Sequence, residues 1–101
     1  MNPRQLQQMA QQMQRQMEKI QHELANETVE GSAGSYVSVT MNGHREIQTI
    51  KLAPEVVDPD DVETLQDLIV AAINDASKKA QELAEKRLGP LTGGMKLPGM
   101  F

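Results

Sequence analysis

The 101-residue chain has no cysteine and no tryptophan, and Tyr36 and Phe101 are its only aromatic residues. Without cysteine there are no disulfides and no thiolate chemistry, which fits a reducing compartment. With so few aromatics, stacking of single-stranded bases on the protein is not expected. The core is also expected to be thin, because only 39% of the residues are hydrophobic and seven of them are methionine.

Long apolar runs are missing as well. No stretch approaches the roughly 20 apolar residues that a membrane-spanning helix needs. Residues 1–6 lack the charged start and the apolar run of a signal peptide. The sequence therefore predicts a soluble, cytoplasmic protein without a membrane partner.

The formal net charge of −4 argues, taken alone, against nucleic acid. The distribution of charge is more informative than its sum. Residues 58–75 carry six acidic and no basic residues, whereas residues 76–101 carry five basic and two acidic ones. Residues 1–25 have a small excess of base. Acid is thus concentrated in one internal segment, and base lies toward both chain ends.

The first element is predicted to be an amphipathic helix from Pro3 to about Ala25. Pro3 suits the first helical turn, and the glutamines of residues 5–21 are good helix formers. The apolar residues recur with a mean spacing of about 3.6, the period of a straight helix. This apolar stripe consists of Leu6, Met9, Met13, Met17, Ile20 and Leu24.

Three short extended segments follow, over about residues 27–31, 36–41 and 46–52. Asn42-Gly43 is a strong signal for a tight hairpin turn between the second and the third. Ile47 falls on the opposite face from Ile50 and Leu52, which breaks the alternation. The break predicts a bulge or a longer loop and leaves the register open.

The second helix is predicted to begin at Asp58, with Asp58 as N-cap and Pro59 at the first helical position. It runs to about Leu88, before Gly89 and Pro90. Residues 1–88 are therefore expected to form a single domain. Residues 89–101 are expected to be a flexible, Gly/Pro-rich tail.

The middle of the second helix is apolar almost all round, so it must be buried on every side. A short chain with a small sheet has too little material for that, and a second copy is the expected cover. The predicted fold is α+β, with two long helices flanking a small antiparallel sheet in α-β-β-β-α order and projecting from a two-fold homodimer. The predicted dimer interface comprises Leu65, Leu68, Ile69, Val70, Ala72, Ile73 and Ala76.

Opposite its apolar stripe, the first helix carries cations and amides, which suit phosphates and groove edges of duplex DNA. This candidate DNA-binding face comprises Arg4, Gln8, Gln11, Arg15, Lys19 and His22. A second basic cluster comprises Lys78, Lys79, Lys86 and Arg87. The alternatives are an ordinary solvated face for the first set and i,i+4 pairing for the second, Lys78 with Glu82 and Glu82 with Lys86.

No catalytic, metal-binding or cofactor-binding residues are found. The acidic run Asp58, Asp60 and Asp61 lacks the spacing of a calcium loop. His22 and His44 lie in different elements. Nothing resembles a phosphate loop or a nucleophile with its base, so neither an enzyme nor a small-molecule substrate is expected.

Several sequence pieces occur together and in order. They are the Met/Gln-rich first helix, Val-Glu-Gly-Ser-Ala-Gly over 29–34, Asn42-Gly43, Asp-Leu-Ile-Val-Ala-Ala-Ile-Asn-Asp-Ala over 67–76, and Leu-Thr-Gly-Gly-Met and Leu-Pro-Gly-Met-Phe over 91–95 and 97–101. In these pieces the chain resembles the YbaB/EbfC family of bacterial nucleoid-associated proteins. The resemblance implies a tweezers-like homodimer that binds duplex DNA with its projecting helices and alters DNA conformation.

Two functions follow from this. The leading hypothesis is a nucleoid protein whose two arms straddle duplex DNA, with effects on nucleoid organisation and gene expression. The alternative is a protein–protein adaptor whose helical arms grip a partner, with weak DNA binding or none. The acidic balance and the Met-rich arms favour this alternative.

Overall fold

The computed structural model describes residues 2–92, and it confirms the α-β-β-β-α order. The elements are α1 (Pro3–Asn26), β1 (Thr28–Ala33), β2 (Val37–Asn42), β3 (Ile47–Leu52) and α2 (Val62–Leu88), with 3-10 turns at Pro54–Val56 and Gly89–Thr92. The molecule is elongated, measuring 70 × 24 × 16 Å. Of the tail predicted for residues 89–101, the first four continue α2 as a 3-10 turn, and residues 93–101 lie outside the described part.

Helix α1 begins as the sequence predicts. The Asn2 side chain accepts a hydrogen bond from the Gln5 amide at 2.8 Å, and Pro3 occupies the first turn. This cap satisfies one of the amides that a helix start leaves free. The helix ends at Asn26, where the Glu27 amide still donates to the Glu23 carbonyl.

Helix α2 begins three residues later than expected, and the prediction of Asp58 as its N-cap is wrong. Asp61 caps the helix, because its carboxylate accepts from both the amide and the hydroxyl of Thr64. Asp58 instead accepts from the Asp60 amide at 2.9 Å and closes a turn before the helix. Asp61 rather than Asp58 is the N-cap because Thr64, three residues after Asp61, donates two hydrogen bonds to its carboxylate.

The sheet is antiparallel, in the order β1-β2-β3. The register shifts between Thr40 and Met41, which leaves Gln48 as an extra residue on β3. This confirms the predicted bulge. It also corrects the expected facing of Ile47, because the extra residue returns Ile47 to the face of Ile50 and Leu52. The residues of this face are Val29, Gly31 and Ala33 on β1, Val37, Val39 and Met41 on β2, and Ile47, Ile50 and Leu52 on β3.

The β2–β3 hairpin is confirmed, but it is longer than a two-residue turn. Asn42 and Glu46 close it at 3.0 Å, and Arg45 takes the left-handed conformation with φ of 63°. Gly43 is required by close approach rather than by its dihedral angles. A Cβ there would lie 2.7 Å from Leu24 of α1. The buried Asn42 side chain strengthens this junction by donating to the Ala25 carbonyl at 3.2 Å.

Helix α2 packs on β1 and β2 through small residues. Ala72, Ala76 and Ala80 are fully buried along one side of the helix. A Cβ at Gly31 would lie 2.2 Å from the Ala76 nitrogen and 2.5 Å from the Ala72 carbonyl oxygen. Helix backbone and strand backbone are therefore in contact, with no room for a side chain between them.

A polar clamp fixes the same contact at the surface. The Asp75 carboxylate accepts from the Ser32 amide at 2.9 Å and lies 3.3 Å from the Lys79 ammonium. Lys79 also donates to the Glu30 carbonyl at 2.9 Å. The Ser32 amide, and after it Lys79, lower the pKa of the Asp75 carboxyl from its usual value.

Replacing Gly31 by alanine should destabilise the protein by about 3 kcal/mol, because the new methyl group meets helix backbone that cannot rotate away. Ser32→Ala is the matched control, since its side chain leaves the opposite face of the same strand. Urea denaturation measures both. Equal midpoints for Gly31→Ala and Ser32→Ala would contradict the close packing of α2 on β1.

The clamp also predicts a pH dependence. A lowered carboxyl pKa contributes stability above the unfolded value of about 4, and this contribution disappears as pH falls through the folded value. Asp75→Asn should therefore have a lower melting temperature than the parent at pH 7. This difference in melting temperature should shrink toward pH 3. Asp67→Asn, an exposed change in the same helix, is the control. A difference that stays constant with pH would count against the clamp.

Candidate nucleic-acid interface

Helix α1 projects from the rest of the protein as an arm. Every residue from 2 to 16 is exposed, whereas Leu24 near the helix end is fully buried. The contacts that hold α1 to the hairpin and to α2 include those of Glu23, Leu24 and Ala25, near its C-terminal end. The arm, defined here as residues 3–16, is thus held from one end.

The predicted face of α1 forms a single surface. Gln8, Gln11, Arg15 and Lys19 line one shallow depression along the helix, as their angular positions predict. Gln12 and Gln16 line it too. These two were missed because they lie outside the predicted sector, between it and the apolar stripe. The depression therefore offers more amide groups than expected.

Arg4 and His22 flank this depression toward the two ends of α1, and both are exposed. The hairpin tip lies beside the His22 end, where a ring nitrogen of His44 is 2.9 Å from the Gln21 carbonyl oxygen. Arg45 at that tip is an exposed cation that sequence analysis did not select. Its left-handed backbone was not apparent from the sequence, because arginine rarely adopts it.

The cations of α1 are free to meet an external anion. Within residues 2–92, ion pairs involve only Lys79 and Arg87 among the lysines and arginines. Arg4, Arg15 and Lys19 have no carboxylate partner in that part of the chain. A solvated helix face often neutralises its charges internally, and this one does not.

The second predicted cluster divides into two kinds of residue. Lys78 and Lys86 are exposed, and in the described residues neither forms the i,i+4 pair with Glu82 that was the alternative to DNA binding. Lys79 is committed to the clamp on β1. Arg87 is half-buried and engaged with carboxylates of α1, so the structure does not bring the four cations together as one free surface.

Arg87 joins the two helices. One of its terminal nitrogens lies 2.8 Å from a Glu23 carboxylate oxygen and also contacts Glu27, and its Nε donates to Glu27 at 3.3 Å. The planar guanidinium thus binds two carboxylates from the end of α1. Its charge is already neutralised inside the protomer, and its evident role is to fix where the arm leaves the body.

The residues predicted for the dimer interface occupy different environments. Ala72 and Ala76 are buried against the chain's own β1, whereas Val70 is 57% exposed. Leu65, Leu68, Ile69 and Ile73 are half-buried. An apolar shelf that the sequence did not reveal is formed by Ile47, Ile50 and Leu52 of β3, each 39% to 45% exposed, on the sheet face that carries the core residues of β2.

Across residues 2–92, no group of three or more histidine, aspartate or glutamate side chains is arranged to hold a metal ion. No helix of the described chain is long and apolar enough to span a bilayer.

These features define a class: a small α+β protein with a projecting helical arm that carries unpaired cations and amides on one face. The model of the YbaB/EbfC DNA-binding family matches residues 1–95. The chain belongs to this family.

Similar proteins agree with this assignment. The chain is 85% identical to a nucleoid-associated protein of Roseiflexus sp. (strain RS-1), covering 98% of this chain and 99% of the relative. It is 68% identical to one from Chloroflexus aurantiacus over the full length of both. An uncharacterized protein of Helicobacter pylori has the same fold, with a TM-score of 0.81 at 22% identity over 92% of this chain and 99% of its own.

The Arg87 contacts predict a structural effect. Arg87→Ala should lower stability by about 1 kcal/mol, because it leaves two neighbouring carboxylates without their cation. The difference in stability between Arg87→Ala and the parent should become smaller in 1 M salt. Lys86→Ala, an equal loss of charge at the exposed neighbouring position, should change little. If both variants melt at the same temperature, Arg87 does not tie the helices together.

Proposed function

We propose that this protein binds duplex DNA as a homodimer and alters the conformation of the bound DNA. It acts at the nucleoid, in the bacterial cytoplasm, as a binding protein rather than an enzyme, with no small-molecule substrate. Its family and the names of its relatives support this function.

The observation that carries the proposal is the free cationic face of α1. Arg4, Arg15 and Lys19 are exposed, and within residues 2–92 they lack carboxylate partners. From Arg4 to Lys19 the face extends about 22 Å at 1.5 Å per residue. That length suits contacts to several phosphates along one groove, and the intervening glutamines can reach groove edges.

A second copy of the chain supplies the other arm. The apolar shelf of β3 lies on the same sheet face as Gly31, at the third strand, where Ile47, Ile50 and Leu52 remain exposed. Burying these side chains in a dimer removes apolar surface from water. Two-fold pairing through this shelf makes each arm one half of a symmetric DNA-binding surface.

The test is the salt dependence of DNA binding. With three α1 cations from each subunit on phosphates, the log–log slope of affinity against salt should be about −5. Arg15→Ala combined with Lys19→Ala should make this slope shallower, about −2, because only Arg4 remains in each subunit. Affinity should fall by a similar factor for different DNA sequences, since phosphate contacts carry no sequence information.

Arg45→Ala combined with Lys51→Ala is the control of equal charge, because both residues are exposed and neither lies on α1. This variant should keep most of the parental slope. If both double variants shift the slope equally, net charge rather than the α1 face governs binding. If the unmutated protein does not bind duplex DNA at low salt, the adaptor function replaces the proposal.

A further inference from the structure

The two outer strands of the sheet differ in how their edges are covered. On β1, the Ser32 amide and the Glu30 carbonyl point away from the sheet. The clamp residues Asp75 and Lys79 of α2 bind these two groups at 2.9 Å each. Free backbone groups along an edge are a template for another strand, so the clamp blocks strand addition at β1.

The edge of β3 is open. The Ala53 amide donates to the Tyr36 carbonyl at 2.8 Å, which shows which residues of β3 bond to β2. Such residues alternate along an antiparallel strand, so the backbone groups of Ile50 and Leu52 point outward. Within residues 2–92 these outward groups have no hydrogen-bond partner. They therefore offer donors and acceptors to another strand.

The side chains of β3 suit a second copy of the same strand. The apolar shelf lies on one face, and Lys51, on the other, is the single charged residue of the strand. Around a two-fold axis normal to the sheet, the shelves of two copies lie on the same face and continue each other.

Charge and backbone geometry together select one register. Pairing centred on Lys51 places like charges directly opposite each other, which is unfavourable. Pairing centred on Ile50 places Lys51 opposite Thr49 of the second copy. It also brings the outward amide and carbonyl of each Ile50 to those of the other.

We propose that β3 pairs antiparallel with β3 of a second copy, centred on Ile50, so that the two three-stranded sheets become one continuous sheet. This proposal rests on the homodimer of the proposed function and specifies how its subunits meet. The pairing gives partners to the backbone groups of the open edge and joins the two shelves. The bulge at Gln48 ends the regular ladder, which confines the pairing to the residues around Ile50.

Because the chain lacks cysteine, engineered cysteines can test the pairing. Thr49→Cys combined with Lys51→Cys should form disulfides between two chains under mild oxidation, since these positions lie opposite each other in the pair. Glu30→Cys combined with Ser32→Cys is the matched control. Both of its residues are exposed, two positions apart, on the same face of the sheet at the clamped edge. On a non-reducing gel, the control should form covalent dimers several-fold more slowly.

Amide hydrogen exchange gives a second readout, which needs no substitution. In the pair, the Ile50 amide is hydrogen-bonded to the second copy and should exchange several-fold more slowly than the Glu30 amide. The Glu30 amide also faces an outer edge and has no hydrogen-bond partner within residues 2–92. Equally fast exchange of the two amides would contradict the pairing.

Three crosslinking outcomes would overturn the proposal in different ways. If the parent sediments as a dimer and binds duplex DNA, equal crosslinking of the β3 and β1 variants overturns the strand pairing and leaves the proposed function standing. If Lys51→Cys alone crosslinks as fast as the β3 double variant, the register centred on Ile50 is wrong. If the parent sediments as a monomer, the homodimer itself is overturned, and the strand pairing with it.

Discussion

Backbone contact between Gly31 and the Ala72–Ala76 turn determines how the rest of the protomer is arranged. Because no side chain separates strand from helix there, α2 lies deep against β1 and β2. A helix seated so close to one side of a three-stranded sheet does not cover the third strand. The apolar residues of β3 are consequently left half-exposed, and the shelf proposed to bind a second copy is a product of this packing.

The arm depends on a different set of contacts, all near one end of α1. Gly43 lets the hairpin approach Leu24, Asn42 donates to the Ala25 carbonyl, and Arg87 binds Glu23 and Glu27. These interactions hold the last turns of α1 from two sides, by the sheet and by α2. Residues 2–16 are exposed, so the direction of the arm is set by a few residues more than ten positions from its tip.

Much of this could be predicted from the sequence, because the patterns were local. The 3.6-residue period fixed α1 and the orientation of Arg15 and Lys19, and the broken alternation at Ile47 predicted the bulge. The predictions that were wrong depended on residues that are neighbours only in the folded structure. Asp61 is the N-cap instead of Asp58 because of its bonds to Thr64, and Arg87 binds carboxylates that are 60 and 64 positions away. Ala72 looked like an interface residue because nothing local revealed that Gly31 would cover it.

The acidic cluster of residues 58–75, which supplies much of the net negative charge, lies far from the arm, and Glu18 is the acidic residue of α1 nearest to Arg15 and Lys19. Helix α2 is about 40 Å long, and its C-terminal end is joined to α1 through Arg87. The acidic side chains before and within its first turns, such as Asp61 and Glu63, lie near the opposite end. At physiological ionic strength charges are screened over about 8 Å. A phosphate beside Arg15 therefore interacts mainly with the side chains of α1, namely its cations, its amides and Glu18, so the local charge of α1, and not the total of −4, governs its attraction for DNA.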